Sequence, residues 1–344
     1  MVQKVEAQLA QDLPFVVYRP PHKNRVNAIF QPNKDLNKVY DFTESGFVFA
    51  PFETSKASIL IKAKELYTAK VAMAEKEFSK QTTDPNDSIN KQKYVELIEK
   101  VIDRIKANEF EKVVISRELK VACDHHPWTI FERAITNYSA AFCYLWYHPK
   151  IGLWIGATPE LLAELNQSLI TTSALAGTMA ATSDEPPNWE EKEMDEQQLV
   201  TNYIKTILGD QLTELKTSET HTVRAGDLWH LKTVLSGRLM MNSNLKDVIL
   251  KLHPTPAVCG TPRDVTQKFI LEQEGYSRSY YTGYLGELNI HRTHEAALYV
   301  NLRCMQIIDD TATLYVGGGI TKASNPEKEW VETQNKSKTM GNLL

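Results

Sequence analysis

Residues 190–208 read "EEKEMDEQQLVTNYIKTIL", and their spacing constrains the fold more than any other stretch of the chain. Glu193, Glu196, Val200, Tyr203 and Ile207 recur at alternating steps of three and four, which is one stripe of an α-helix. Two carboxylates thus continue a row that is otherwise apolar and faces inward. A carboxylate turned toward a core is expensive unless it is paired, hydrogen-bonded or bound to a metal. The fold must bring a cation or hydrogen-bond donors to this helix.

A second helix repeats the device. In "NPEKEWVETQNKSKTM", residues 325–340, Glu329, Glu332, Lys336 and Met340 share a face, with Pro326 at the first helical position and Asn325 as N-cap. An ExxE pair on a helix is also the pattern of a solvated face. Two pairs, one of them extending an apolar stripe, favour a hard cation such as Mg²⁺, which takes carboxylate oxygen and leaves positions open for water or an anionic substrate.

Strand-like runs surround these helices. "GFVFAPF" lies near the N-terminus. "KVVISREL" from Lys112 follows a helical stretch in which Tyr94, Leu97, Ile98, Val101, Ile102 and Ile105 recur at helical spacing. "AAFCYLWYHP", "IGLWIGATPELLAEL" and "SLITTSALAGT" come next, the last two joined by an Asn166-Gln167 hairpin turn. Helices are expected at "NLKDVILKL" and "RDVTQKFILEQEG", and strands at "TGYLGELN", "AALYVNLRCMQII" and "TLYVGGGI". Strand groups interspersed with single helices indicate a mixed α/β or α+β sheet protein. The polar stretch 79–92, with Pro85, is the candidate boundary between a strand-rich region, 1–84, and the remainder, 85–344.

Composition narrows the partners. The 344 residues are 42% hydrophobic and 24% charged, with a net charge of −4 and no long basic block, so nucleic acid is a poor partner. No apolar run has signal-peptide or membrane-spanning length, which leads to the expectation of a cytoplasmic protein without membrane contact. Cys123, Cys143, Cys259 and Cys304 show no CxxC spacing, so neither a disulfide framework nor a zinc site is expected.

If "ALYVNLRCMQII" is one strand, Leu298, Val300, Leu302 and Cys304 share one face and Tyr299, Asn301, Arg303 and Met305 the other. Arg303 is then either an exposed strand arginine or a planar fork for a carboxylate. The triplet Gly317–Gly319 is either a loop or a place where backbone N–H groups approach the same anion. Lys112 and Glu160 are candidates for base and acid, although periodicity promotes neither. Lone histidines such as His230 are more often structural than ligands, and the pair His125-His126 beside Pro127 reads as a loop. The residues by themselves point to an acidic, Mg²⁺-dependent enzyme acting on a small carboxylated molecule.

In order and spacing, "KVVISRE", "GATPELL", "SALAGT", "KEMDEQQLV", "HLKTVLSG", "LHPTPAVCGTPR", "RSYYTGYLGE", "VNLRC" and "GGGITKASNPEKEWVETQNK" resemble the chorismate-utilising enzymes, from about residue 90 to the end. The N-terminal region resembles them only loosely. The resemblance implies a duplicated α+β fold, two large antiparallel sheets packed together with helices outside, one Mg²⁺ ion and bound chorismate. It implies that Glu196 and Glu332 hold Mg²⁺ with Glu193 and Glu329 assisting. Arg303, Lys336, Gly318 and Gly319 would hold the enolpyruvyl carboxylate or its neighbours. Ala176, Gly177 and Thr178 would line the ring pocket, and His230 joins the substrate-binding set.

Lys112 matches the lysine that activates water in the isochorismate and salicylate synthases of this family, a role calling for nearby positive charge to make it partly neutral. Glu160 matches the general acid and needs a raised pKa. Ala176 stands where aminodeoxychorismate synthases have a nucleophilic lysine, which argues against a covalent route, and Gln197 stands where many relatives have His. The implied activity is reversible conversion of chorismate to isochorismate, serving menaquinone or siderophore synthesis, by a monomer without a glutamine amidotransferase partner. Salicylate formation and a catalytically silent chorismate-binding homologue are the alternatives.

Overall fold

The computed structural model describes residues 1–71, 87–181, 183, 185–225 and 228–344. The expected boundary at 84/85 lies outside the described residues, and 87–92 already belong to a helix. The chain begins with α1 (Val2–Ala10), which has no counterpart in the sequence reading, and β1 (Phe15–Arg19), β2 (Arg25–Phe30), β3 (Asn37–Lys38), β4 (Gly46–Ala50), β5 (Ile59–Lys62) and β6 (Tyr67–Lys70). It continues through α2 (Asp87–Lys106), β7 (Lys112–Ala122), α3 (Pro127–Asn137), β8 (Phe142–His148), β9 (Gly152–Thr158), β10 (Leu161–Asn166), β11 (Leu169–Ala180) and α4 (Glu191–Leu208). Then follow β12 (Leu212–Thr217), β13 (His221–Ala225), β14 (Leu228–Leu239), α5 (Leu245–Leu252), β15 (Gly260–Thr261), α6 (Arg263–Gln273), β16 (Tyr284–Leu288), β17 (Glu295–Val300), β18 (Cys304–Ile308), β19 (Thr311–Ile320) and α7 (Pro326–Gly341).

The strands form two antiparallel sheets. One has the order β15-β7-β19-β18-β9-β8-β1-β2-β6; the other has β12-β14-β11-β10-β17-β16-β4-β5-β3, with β13 beside β14. These orders are two copies of one plan. The first copy gives β7, β8 and β9 to one sheet, crosses over, gives β10 and β11 to the other, and ends in α4. The second gives β14, β16 and β17 to the second sheet, crosses back as β18 and β19, and ends in α7. The two ExxE helices are therefore equivalents. The strands upstream of residue 71 extend both sheets.

Strands buried on both faces read as continuous apolar runs. Along β1, Phe15 and Val17 pack under α3, while Val16 and Tyr18 enter an aromatic layer between the sheets. In that layer Phe49 lies 4.5 Å from Trp146 and Tyr18 lies 5.0 Å from Phe47. The Asn166-Gln167 turn lies one residue later than expected: Asn166 still pairs with Leu169, and Gln167 takes the left-handed conformation at φ 59°.

The two crossings run side by side, because β9 pairs with β18 and β10 with β17. At the first, the Thr158 hydroxyl donates to Val300 O at 2.6 Å and Val300 N donates to Glu160 O at 3.0 Å. At the second, fully buried Asn301 accepts from the Tyr144 hydroxyl at 2.6 Å and donates to Tyr280 O at 2.9 Å. The reading of "ALYVNLRCMQII" as one alternating strand is therefore corrected. The chain changes sheets at Asn301, and Arg303 adopts a left-handed φ of 47°, so the period of two is broken where the arginine stands.

Candidate active site

A cleft opens where the crossings meet the glycine run of β19 and a bulge in β11. Glu160 enters it from one crossing and Arg303 from the other. Ala176, Gly177 and Thr178 come from β11, His230 from β14, Gly318 and Gly319 from β19, Lys336 from α7 and Glu196 from α4. Lys112, Glu193, Glu329 and Glu332 are not on its wall. All four stand against the glycines or the bulge. A Cβ on Gly318 would meet Glu329 Oε2 at 3.1 Å and Glu332 Oε1 at 3.5 Å, and one on Gly177 would meet Glu193 Cβ at 3.2 Å. On Gly319 it would meet Glu196 Oε1 at 2.6 Å and Lys112 Cε at 2.8 Å. Glycine is needed at Gly319 because a carboxylate and a lysine stem already fill the space of a side chain.

The inward stripe of α4 is rotated by one position from the expected one. Gln197, Val200, Thr201, Ile204 and Leu208 are buried, and Glu193 and Glu196 flank them half-buried. Gln197 explains the rotation. Its Oε1 accepts from Ala176 N at 2.9 Å, and its Nε2 donates to Ala174 O at 3.2 Å and to Thr233 Oγ1 at 3.0 Å. The amide thus clamps the bulge, where Gly177 has a left-handed φ of 70°. The N-cap of α7 is as expected, with Asn325 accepting from Lys328 N at 3.1 Å. His126 caps α3, its side chain accepting from Trp128 N.

Charges in the site are set by what each group faces. Glu160 is 3% exposed, and burial outweighs the attraction of Lys112, Arg303 and Lys336 and pushes its carboxyl up to about 8. Burial also opposes ionisation of Glu196, but Lys112 Nζ lies 2.7 Å from its Oε1 and holds the carboxyl below its ordinary value. Lys112, expected among positive charge, thus has a carboxylate as its ion-pair partner. Burial and Glu332 raise the pKa of Glu329, and burial raises that of Glu193. Lys336 Nζ lies 2.6 Å from Glu332 Oε1 and donates to Gly317 O at 2.9 Å.

Burial, Arg303 and Lys336 push the His230 imidazole down to about 3. It is therefore neutral. Its Nδ1 lies 3.1 Å from Gly177 O, an acceptor only, so that nitrogen carries the hydrogen and Nε2, buried without a hydrogen-bond partner among the described residues, is left as an acceptor. Among the described residues no hydrogen bond or ion pair fixes the Arg303 guanidinium, which suits it to an anion entering the cleft.

The donor set suits a hard divalent cation. Carboxylates of Glu196, Glu329 and Glu332 converge on Gly318 and Gly319, and among the described residues Glu193 Oε2 and Glu329 Oε2 are buried without a well-formed hydrogen bond. Among the described residues, however, no three acidic, histidine or cysteine side chains close round a common point. Instead Glu196, Glu332 and Glu329 are held by Lys112, Lys336 and Lys192, the last pair at 2.7 Å. Sequence reasoning missed Lys192, although it stands beside Glu193. It also missed Tyr281 and Tyr315, which line the cleft from "RSYYTGYLGE" and "TLYVGGGI" and carry no helical or strand signal that marks them for it.

The family profile described as chorismate binding enzyme matches residues 49–344. The chain belongs to this family. It is 30% identical over 247 residues to isochorismate synthase EntC of Escherichia coli K12, covering 69% of this chain and 63% of that protein. It is also 30% identical over 267 residues to isochorismate synthase MenF of the same organism, covering 73% and 60%. The chain thus spans somewhat less than two thirds of the length of these relatives. Its fold is that of the solved MenF, the menaquinone-specific isochorismate synthase from Escherichia coli (TM-score 0.77, 20% identity, 96% of this chain and 88% of that one). It is also that of anthranilate synthase component I from Streptococcus pneumoniae TIGR4 (TM-score 0.69, 17% identity, 95% and 90%). Among the described residues no helix is long and apolar enough to cross a membrane.

Proposed function

We propose that this chain interconverts chorismate and isochorismate with Mg²⁺. The observation that carries the reading is Glu160, a buried carboxyl pushed up to about 8 in a cleft it shares with the unfixed Arg303. A carboxyl that keeps its proton at neutral pH can give it to a leaving hydroxyl. With the Lys112 amine neutral, its own proton having first left to solvent, a water oxygen bonds to ring carbon 2 as its proton passes to that amine, the ring double bonds shift, and the bond from carbon 4 to its hydroxyl breaks as Glu160 supplies a proton. Water is gained at one carbon and lost at the other, so the product is an isomer of the substrate.

Arg303, Lys336 and the Gly318–Gly319 backbone bind the substrate's enolpyruvyl carboxylate, and Ala176, Gly177 and Thr178 flank the ring. The neutral His230 offers Nε2 as an acceptor to a substrate hydroxyl. Glu196 and Glu332, assisted by Glu193 and Glu329, hold Mg²⁺, which when bound neutralises the ring carboxylate. The enzyme acts in the cytoplasm as a monomer, without a glutamine amidotransferase.

The test is product analysis by chromatography after incubation with chorismate and Mg²⁺. Isochorismate is expected, formed from chorismate and returning to it. Salicylate and pyruvate as the main products would move the chain to the salicylate-forming branch, and no Mg²⁺-dependent turnover would leave only chorismate binding.

A further inference from the structure

Of the three lysine–carboxylate pairs around the glycine run, one differs from the others. Lys336 lines the cleft and Lys112 lies against Gly319, so both have places in the proposed reaction. Lys192 has none. Its Nζ lies 2.7 Å from Glu329 Oε1, its side chain is 25% exposed, and Glu329 is 1% exposed. The other oxygen, Glu329 Oε2, is buried without a well-formed hydrogen bond among the described residues and faces Gly318. Lys192 also borders a second cavity of about 550 Å³, lined further by Asn108, Asp195, Leu199 and Lys322 and sharing Glu196 with the cleft. One lysine therefore neutralises a buried carboxylate, and it has open space into which it can withdraw.

We propose that Lys192 is a resident counter-ion that neutralises Glu329 and yields its place to a divalent cation, its side chain turning into the second cavity. This rests on the reading that these carboxylates hold a cation. An unpaired buried carboxylate is costly, so Glu329 needs a positive partner whether or not a metal ion is present. Lysine suits the task because its ammonium is a compact charge on a flexible stem. Two positive charges cannot share the same oxygens at close range without repulsion, so cation binding and the Lys192–Glu329 pair compete. The apparent affinity for the cation falls by the fraction of molecules in which the lysine has withdrawn. Lys192 acts on the site through Glu329 and is a positioning residue.

The test uses the whole chain, with Mg²⁺ titrated into it by calorimetry and thermal unfolding followed in chelator and in saturating Mg²⁺. Lys192→Met keeps the apolar stem and removes the charge; Lys192→Gln serves as a second variant if the first fails to fold. The variants are expected to bind Mg²⁺ roughly 10-fold more tightly than the wild type, to unfold at lower temperature in chelator, and to regain the wild-type Tm when Mg²⁺ saturates. A variant that folds only with Mg²⁺ supports the proposal equally. Unchanged or weaker Mg²⁺ binding by the variants, with the wild type binding normally, overturns the counter-ion role and leaves the cation reading standing. A wild type that neither binds Mg²⁺ nor gains thermal stability from it removes the cation reading, and the counter-ion role with it.

Discussion

Glu160 and Glu196 are both largely withdrawn from water and both border the same cleft, yet their protons behave in opposite ways. Glu160 sits on a sheet crossing with its cations at a distance, and its carboxyl is pushed up to about 8. Glu196 sits on α4 with Lys112 Nζ at 2.7 Å, and its carboxyl is held below the ordinary value. Burial penalises the charged form of each, and a hydrogen-bonded lysine reverses the balance in only one. The difference sets apart a carboxyl that keeps its proton from one that stays charged, and under the proposed function these would be the proton donor and a cation ligand.

The largest expected effect comes from removing either end of the proton transfer. Glu160→Gln should bind chorismate with nearly unchanged affinity by calorimetry and turn over about 10²-fold or more slowly, since the amide mimics the protonated acid but cannot donate its proton. Lys112→Gln should lose a comparable factor in both reaction directions. A loss below tenfold in either, with the fold intact by circular dichroism, would transfer that role to another residue.

The next effect tests the other side of the comparison. Gly319→Ala places a methyl 2.6 Å from Glu196 Oε1, whereas Gly318→Ala meets its nearest carboxylate oxygen at 3.1 Å. Steady-state kinetics should therefore show the larger loss, of order 10²-fold, for Gly319→Ala. Equal losses would mean that the Lys112–Glu196 pair has more room than its geometry indicates.

A smaller effect is in the pH profile. Wild-type kcat/KM should fall as pH rises above about 8, where Glu160 loses its proton in the free enzyme. The residual activity of Glu160→Gln should lack that limb, and its persistence there would assign the limb to a different group.

The smallest effect is on stability. Because its folded pKa is raised from an ordinary 4.5 to about 8, Glu160 contributes stability that is fully present below about pH 4.5 and is lost as pH rises through about 8. Between pH 6 and 8 the wild-type Tm should fall more than that of Glu160→Gln. Parallel curves from scanning calorimetry would count against the raised pKa.

Much of this molecule is legible in local pattern. The helices α2, α4, α5, α6 and α7 follow from period and capping, and Asn325 caps α7 because its short side chain reaches a free N–H of the first turn. The short N-terminal helix α1 left no such trace, and β12, β13 and β14 were not read as strands. The inward cast of α4 was visible, but its rotation by one position was not, because Gln197 owes its burial to backbone groups of β11 that no periodicity announces.

The sequence by itself determined where α2, α4, α5, α6, α7 and many of the strands lie, that two helices carry paired carboxylates, and, through ordered motifs, the family. Those properties depend on neighbours a few residues apart. Only the tertiary structure decided that "ALYVNLRCMQII" is two strands in different sheets, that Arg303 and Glu160 meet at adjacent crossings, and that Lys112 faces Glu196 across 84 positions of chain. Pairing between sheets and the charge state of a buried acid depend on groups remote in sequence, whose distances are fixed only when the whole core packs.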